Sequence, residues 1–334
     1  MKLATRGAVA RLFILAAALV AALLAAFAFG PYPLSPLDAL AALWAGPGAD
    51  NDAATVVWQL RLPRIVAGLL VGAALSAAGA AYQGMFRNPL VSPDILGVAA
   101  GAGLGAALAI YFGLPLIAVQ AIAFMGGLVA VAAVVFVAAQ VRRHDPVLVL
   151  VLAGVAVGTL FSAGISLIKV LADPSVQLPS ITFWLLGGLN AVAASDLWIA
   201  APLVVVALTP MLLLRWRVNL LSLSDEEAAA LGVNVSRLRG ILIVSATLMT
   251  AAAVSMAGIV GWIGLVVPHA ARLLVGPEFS RLLPASVLLG AAFLIAADTL
   301  ARSMASIELP LGILTAFVGA PVFLWLLART GRGG

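Results

Sequence analysis

The chain has 334 residues, of which 64% are hydrophobic and only 9% charged, with a mean hydropathy of +1.19. Soluble domains carry about 25% charged residues, so this chain has too little polar surface to face water on all sides, and a lipid solvent is implied. The lack of cysteine excludes disulfides and thiolate metal sites, and the net charge of +5 is spread between apolar runs rather than gathered with aromatics into a nucleic-acid patch.

An apolar run of about 20 residues crosses the hydrocarbon core as a helix. Taken in order, such runs fall at Leu12–Phe29, Ile65–Phe86, Ile95–Phe112, Leu114–Ala139, Pro146–Leu171, Trp198–Leu214, Ile241–Ala257, Leu265–Gly276, Ala285–Arg302 and Leu311–Ala328. The first follows Lys2, Arg6 and Arg11 and has the outline of a signal peptide. Its apolar core is long for one, and many equivalent runs follow, so a retained span is the better reading. The eighth is too short to span simply. Gly258, Gly261, Gly264 and Pro268 lie in or just before it, which predicts a bent helix shielded by protein.

Alternating these ten spans from a cytoplasmic amino terminus gives a test of direction. The inner side then holds Lys2, Arg6, Arg11, Arg87, Arg142, Arg143, Arg215, Arg217, Arg237, Arg239, Arg272, Arg281, Arg329 and Arg332; the outer side holds Arg61, Arg64, Lys169 and Arg302. Fourteen against four is a positive-inside bias, and it places both termini inside. Small residues recur at helix-packing spacing, as in Gly68 with Gly72, Gly97 with Gly101 and Gly105, and Gly154 with Gly158. These predict a tightly packed bundle and do not identify a pore.

The chemistry the chain lacks is informative. There is no G-x-x-x-x-G-K-[ST] loop, and the only lysines, Lys2 and Lys169, fit none, so the chain has no P-loop with which to hydrolyse ATP. Asp298 is the only acid well inside a span, with Arg302 four residues on along the same helical face, a spacing that suits a local ion pair. An ion-coupled secondary transporter would more often show several unpaired acids at mid-depth. Neither His144 nor His269 has a second ligand at metal spacing, so no metal site is expected. A catalytic cluster at the membrane interface, which an embedded enzyme needs, is not found.

The longest inner connection, residues 220–239, has its own architecture. Ser224 followed by Glu227 reads as a capping box, with Asp225 and Glu226 favoured at the positive end of a helix. Ala228 to Leu231 continues that helix, Gly232 stops it, and Ser236 is placed to cap the next. A short helix, a turn and a second helix are expected on the cytoplasmic face, with small apolar residues able to fill a groove in another protein.

Three stretches carry a resemblance to a known family. The first is Arg61-Leu62-Pro63-Arg64, running through Gly79 to Phe86-Arg87-Asn88-Pro89-Leu90-Val91-Ser92-Pro93-Asp94-Ile95-Leu96-Gly97. The second links Ser224-Asp225-Glu226-Glu227-Ala228 and Leu231-Gly232 to Gly261-Trp262-Ile263-Gly264-Leu265-Val266-Val267-Pro268-His269-Ala270-Ala271-Arg272. The third links Glu308-Leu309-Pro310-Leu311-Gly312 to Gly319-Ala320-Pro321-Val322-Phe323. In this order, from about Val57 onward, the chain resembles the permease subunits of binding-protein-dependent ABC importers for ferric siderophores, haem and cobalamin, the type II importers.

The resemblance implies an all-α fold of ten transmembrane helices forming a single permease domain over residues 1–334. It implies that Ser224, Asp225, Glu226, Glu227, Ala228, Leu231 and Gly232 form the coupling helix that docks on a nucleotide-binding subunit. It implies that Arg61, Arg64 and Arg302 receive glutamates of a periplasmic binding protein, although for Arg302 the Asp298 pair stays a rival. The implied assembly is a homodimer with two ATPase subunits and one binding protein, in a bacterial inner membrane, with no cofactor of its own. In the family the fifth and tenth helices and the short helix after the fifth line the path. The segment Leu178-Pro179-Ser180-Ile181-Thr182-Phe183-Trp184-Leu185-Leu186-Gly187-Gly188 looks more like the siderophore branch than the cobalamin branch, with haem open. Tyr82, Tyr111 and the methionines read as packing residues rather than ligands.

Overall fold

The computed structural model describes all residues except 1, 33, 50, 142–145, 305–306 and 331–334, and the regular structure among the described residues is helical throughout. Arg142, Arg143 and Arg332, counted above for direction, and His144, set aside above as a metal ligand, lie outside the described residues.

The first predicted span is α1 (Lys2–Ala28). Two elements that the apolar runs did not announce follow it. They are α2 (Pro36–Ala45), whose amino end is capped by Ser35, and α3 (Asp52–Thr55), capped by Asn51 Oδ1 accepting from the Ala54 amide at 2.7 Å. The chain continues through a π-helical stretch, Val56–Arg61, into α4 (Leu62–Met85). Pro63 has no N–H for the turn before it, and the wider turn ahead of α4 takes up that mismatch. The second predicted span therefore begins earlier than Ile65, in a helical run of 34 residues, Asp52–Met85.

The third predicted span needs correction. A 3₁₀ turn (Pro93–Leu96) and Gly97 at φ 75° come before α5 (Val98–Tyr111), which has only 14 residues. At about 1.5 Å per residue it is some 21 Å long, short of the roughly 30 Å hydrocarbon core. It packs against α6 (Leu116–Gln140) and α7 (Pro146–Leu171), so protein rather than lipid surrounds it. Next come α8 (Gln177–Leu186), α9 (Ala194–Leu213), α10 (Arg215–Val218) with a 3₁₀ turn after it, and α11 (Asp225–Ala230). The chain finishes with α12 (Val235–Ala257), α13 (Ile263–Val275), α14 (Phe279–Ala301) and α15 (Leu311–Thr330). Seven helical segments among the described residues are long and apolar enough to cross a membrane, and the remaining predicted spans fall on the shorter apolar stretches of α5, α13 and α15.

Burial sorts these helices into two classes. The α3–α4 run is 89% buried over its most apolar stretch, whereas α7 is 17% buried over its own. With α12 and α14, α4 forms the protein-facing centre; α1, α6, α7 and α9 turn most of their surface outward, toward lipid or another protein. The centre is drawn together through glycine. A Cβ on Gly72 would stand 2.3 Å from the Gly290 carbonyl oxygen of α14, and one on Gly101 would stand 2.4 Å from that of Gly126 in α6. Lipid offers no hydrophobic drive between helices, so backbone approach of this kind supplies contact energy instead. Of the spacing glycines read from sequence, Gly68, Gly97 and Gly158 meet their neighbours only at ordinary van der Waals distance.

Candidate functional site

Two polar constellations stand at opposite ends of α4. At its amino end, Arg64 Nε donates to Asp298 Oδ1 and Oδ2 at 2.9 and 3.0 Å, and Nη2 to Oδ1 at 2.8 Å. Its remaining nitrogen, Nη1, reaches Glu308 Oε1 at 2.7 Å. Asp298, expected to pair with Arg302, is thus held chiefly by Arg64, while Arg302 Nε lies 3.7 Å from Oδ2. The geometry favours Arg64 because two of its guanidinium nitrogens bond the carboxylate at 2.8 to 3.0 Å, where Arg302 approaches only to 3.7 Å.

Arg61 and Arg302 do something the sequence did not disclose. Arg302 Nη2 donates to the Ala26 carbonyl, and Arg61 donates to those of Phe27 and Tyr32. Two guanidiniums therefore satisfy carbonyls at and just beyond the carboxyl end of α1, where a helix leaves acceptors without partners and carries partial negative charge. Both side chains are buried, Arg61 at 3% exposure and Arg302 at 5%. They still border a cavity of about 280 Å³, shared with Tyr32, Gln59, Arg64, Asn190 and Glu308.

At the other end of α4, about 35 Å away at helical rise, lies the segment read as the coupling loop. Its capping box forms as expected: the Ser224 amide donates to Glu227 Oε2 at 2.9 Å, and the Glu227 amide donates to Ser224 Oγ at 3.2 Å. Those bonds from Ser224 hold the Glu227 carboxyl below the usual carboxylate range. Gly232, at φ 82°, closes the helix, its amide donating to the Ala229 carbonyl at 2.9 Å. Two details differ from expectation. Asn234, not Ser236, caps α12, accepting from the Arg237 amide at 2.9 Å. Ala228 is fully buried against its own subunit, so it anchors α11.

Asp225 is also engaged. Arg239 of α12 grips it through two bonds of 2.7 and 2.8 Å, and Arg87, just after α4, adds a third at 3.0 Å. These cations, Arg239 first, hold its carboxyl below the usual range. Glu226 and Leu231 are exposed, with Glu226 in no hydrogen bond or ion pair among the described residues.

A third feature escaped the sequence reading. Trp262 takes φ 71°, which strains a residue bearing a Cβ, and so redirects the chain between α12 and α13. With Leu185 and Leu186 of α8 and Phe317 and Pro321 of α15 it lines an open apolar cavity of about 640 Å³. Its aromatic partner is Phe323, ring centroids 6.3 Å apart. His269 is buried nearby, neither ring nitrogen hydrogen-bonded, and among the described residues no group of three His, Asp or Glu stands close enough to hold a metal.

A bundle with glycine-packed central helices, no motor of its own and a capped polar helix at one end is the build of a transport permease. Residues 18–329 match the FecCD transport family, and the chain belongs to that family. It is 45% identical over 296 residues to the cobalamin import system permease protein BtuC of Halobacterium salinarum, covering 87% of this chain and 79% of that one. It is 39% identical over 326 residues to the molybdate import system permease protein MolB of Haemophilus influenzae, covering 97% and 96%. Further relatives are named for iron chelatin and hemin transport. A solved metal-chelate type ABC transporter in an inward-facing conformation matches with a TM-score of 0.87 at 37% identity, over 95% of this chain and 98% of that one. The chain is thus the membrane-spanning permease subunit of an ABC importer, with the type II permease fold.

Proposed function

We propose that this chain works as a homodimer in a bacterial inner membrane, with two ATP-binding-cassette subunits on its cytoplasmic side and a periplasmic binding protein on the other. It moves a metal chelate, an iron chelate first among them, inward by alternating access. The observation that carries this reading is α11, a helix stiffened at both ends by caps, which presents Glu226 and Leu231 outward while Ala228 ties it to the bundle. Work done by a separate ATPase must enter through a rigid element, and α11 is built as one.

At the opposite end, the cavity bordered by Arg61, Arg64 and Arg302 suits a glutamate of the binding protein. Burial of these cations makes it a socket rather than a flat patch, and a docking carboxylate would compete with Glu308 for Arg64. The apolar cavity between α8 and α15 is half of a path that the second copy closes. Its walls offer few polar groups, as suits cargo that must also be released.

Proteoliposomes holding the permease with its ATPase subunits and binding protein test the substrate class. Offered ferric siderophores, haem, cobalamin and molybdate, they are expected to take up a ferric chelate in an ATP-dependent way; uptake of only one of the others would reassign the cargo. In the same complex Glu226→Lys should lower ATPase-subunit association about tenfold while the bundle stays folded, in keeping with loss of an interfacial charge contact. Unchanged association would remove α11 as the docking element.

A further inference from the structure

Arg87 stands directly after α4 and takes φ 51°, one of two non-glycine residues with positive φ among the described residues. That backbone conformation is disfavoured for any residue with a Cβ, and glycine or asparagine would adopt it more readily. An arginine there is explained by what its side chain reaches. Nε donates to the Leu221 carbonyl at 2.6 Å, and Nη2 to Asp225 Oδ1 at 3.0 Å. Asp225 is gripped from its other side by Arg239, whose side chain is only 13% exposed.

One carboxylate on α11 thereby joins three elements: the coupling helix, the base of α12, and the connection from α4 to α5. That connection is itself wedged into the bundle. The ring of Pro93 lies so close to Gly264 of α13 that a Cβ there would stand 2.4 Å from it, and the Ile95 carbonyl lies as tightly against Gly154 of α7. Besides the turn that leads from α11 into α12, α11 needs a link to the α4–α5 connection if its motion is to reach α7 and α13. The Arg87 guanidinium supplies the short route.

We propose that Arg87 is a positioning residue for transport: a strained strut that carries motion of α11 through Asp225 into the α4–α5 connection, and so to α7 and α13. This rests on the reading of α11 as the ATPase contact and adds to it a division of labour. Glu226 and Leu231 meet the partner; Asp225, held by Arg87 and Arg239 of its own chain, distributes the load. No role in docking follows for Arg87, and none is needed.

The absence of native cysteine makes the test clean. An environment-sensitive fluorophore is placed on a single cysteine at Leu90 or at Ala230 of α11, both exposed, in the complete complex. In the parent protein both labels are expected to respond to ATP. In Arg87→Asn, which keeps a residue tolerant of positive φ, the label at 230 should still respond and the label at 90 should not. ATPase-subunit association should stay at the parent level, while cargo moved per ATP hydrolysed falls about tenfold, within the range over which coupling elements act; Arg87→Lys should recover part of it. Should Arg87→Asn fail to assemble, Asp225→Asn carries the same prediction for the label at 90. A label at 90 that follows ATP as in the parent, or unchanged cargo per ATP, overturns the strut while leaving the α11 contact standing. A label at 230 that never responds in the parent overturns both.

Discussion

Arg64 directs Nε, Nη1 and Nη2 to carboxylates on two other segments, Asp298 of α14 and Glu308 ahead of α15. Side-chain exposure is 13% for Arg64 and 5% for Asp298, so each charge depends on the other for what water no longer provides. Arg64→Met should therefore cost about 3 kcal/mol, seen as a fall in apparent melting temperature in detergent, because it leaves a buried carboxylate with only Arg302 at 3.7 Å. Adding Asp298→Asn should regain part of that loss, and a single variant as stable as the parent would contradict the pairing. Sequence spacing found the Arg302 pair, which forms at 3.7 Å, but not the shorter bonds from Arg64. An i,i+4 arginine is visible on a helical wheel; one that is 234 positions away is not. The same limit hid the use of Arg61 and Arg302 as caps on α1, since carbonyl acceptors leave no mark in the residue pattern.

Elements were legible where a local rule governs them. The capping box of α11 and its glycine stop depend on residues three to eight positions apart, and both formed where expected. The cap of α12 moved from Ser236 to Asn234 because either residue type serves and only the backbone decides between them. Long apolar runs found their helices, whereas α2, α3 and the π-helical turn did not show, being shaped by Ser35, Asn51 and Pro63 rather than by hydropathy. Glycine spacing gave the right faces without saying which pairs touch. Those that touch can be tested: Gly72→Ala drives a methyl toward the Gly290 carbonyl and should destabilise by about 1–3 kcal/mol. Gly240→Ala, in α12 with nothing within 4 Å, should be neutral or stabilise by up to about 1 kcal/mol. Equal effects in thermal melts of the two variants would mean that α4 and α14 are not packed through Gly72.

For the whole molecule, composition and hydropathy sufficed to announce a lipid-solvated bundle, and the ordered motifs sufficed for the family. What remained hidden was the division of the molecule into ends. Charge counting had set Arg61, Arg64 and Arg302 apart from the other bases, but only the fold joins them to Asp298 and Glu308 and sets that group opposite α11 along α4. The central claim is that these ends lie on opposite sides of the membrane, with α11 in the cytoplasm where an ATPase can push it. Because the chain contains no cysteine, a single cysteine at Glu226 reports directly on sidedness when intact cells are treated with a membrane-impermeant maleimide. The account predicts labelling at 226 only after the inner membrane is permeabilised; full labelling in cells with that membrane intact would contradict it.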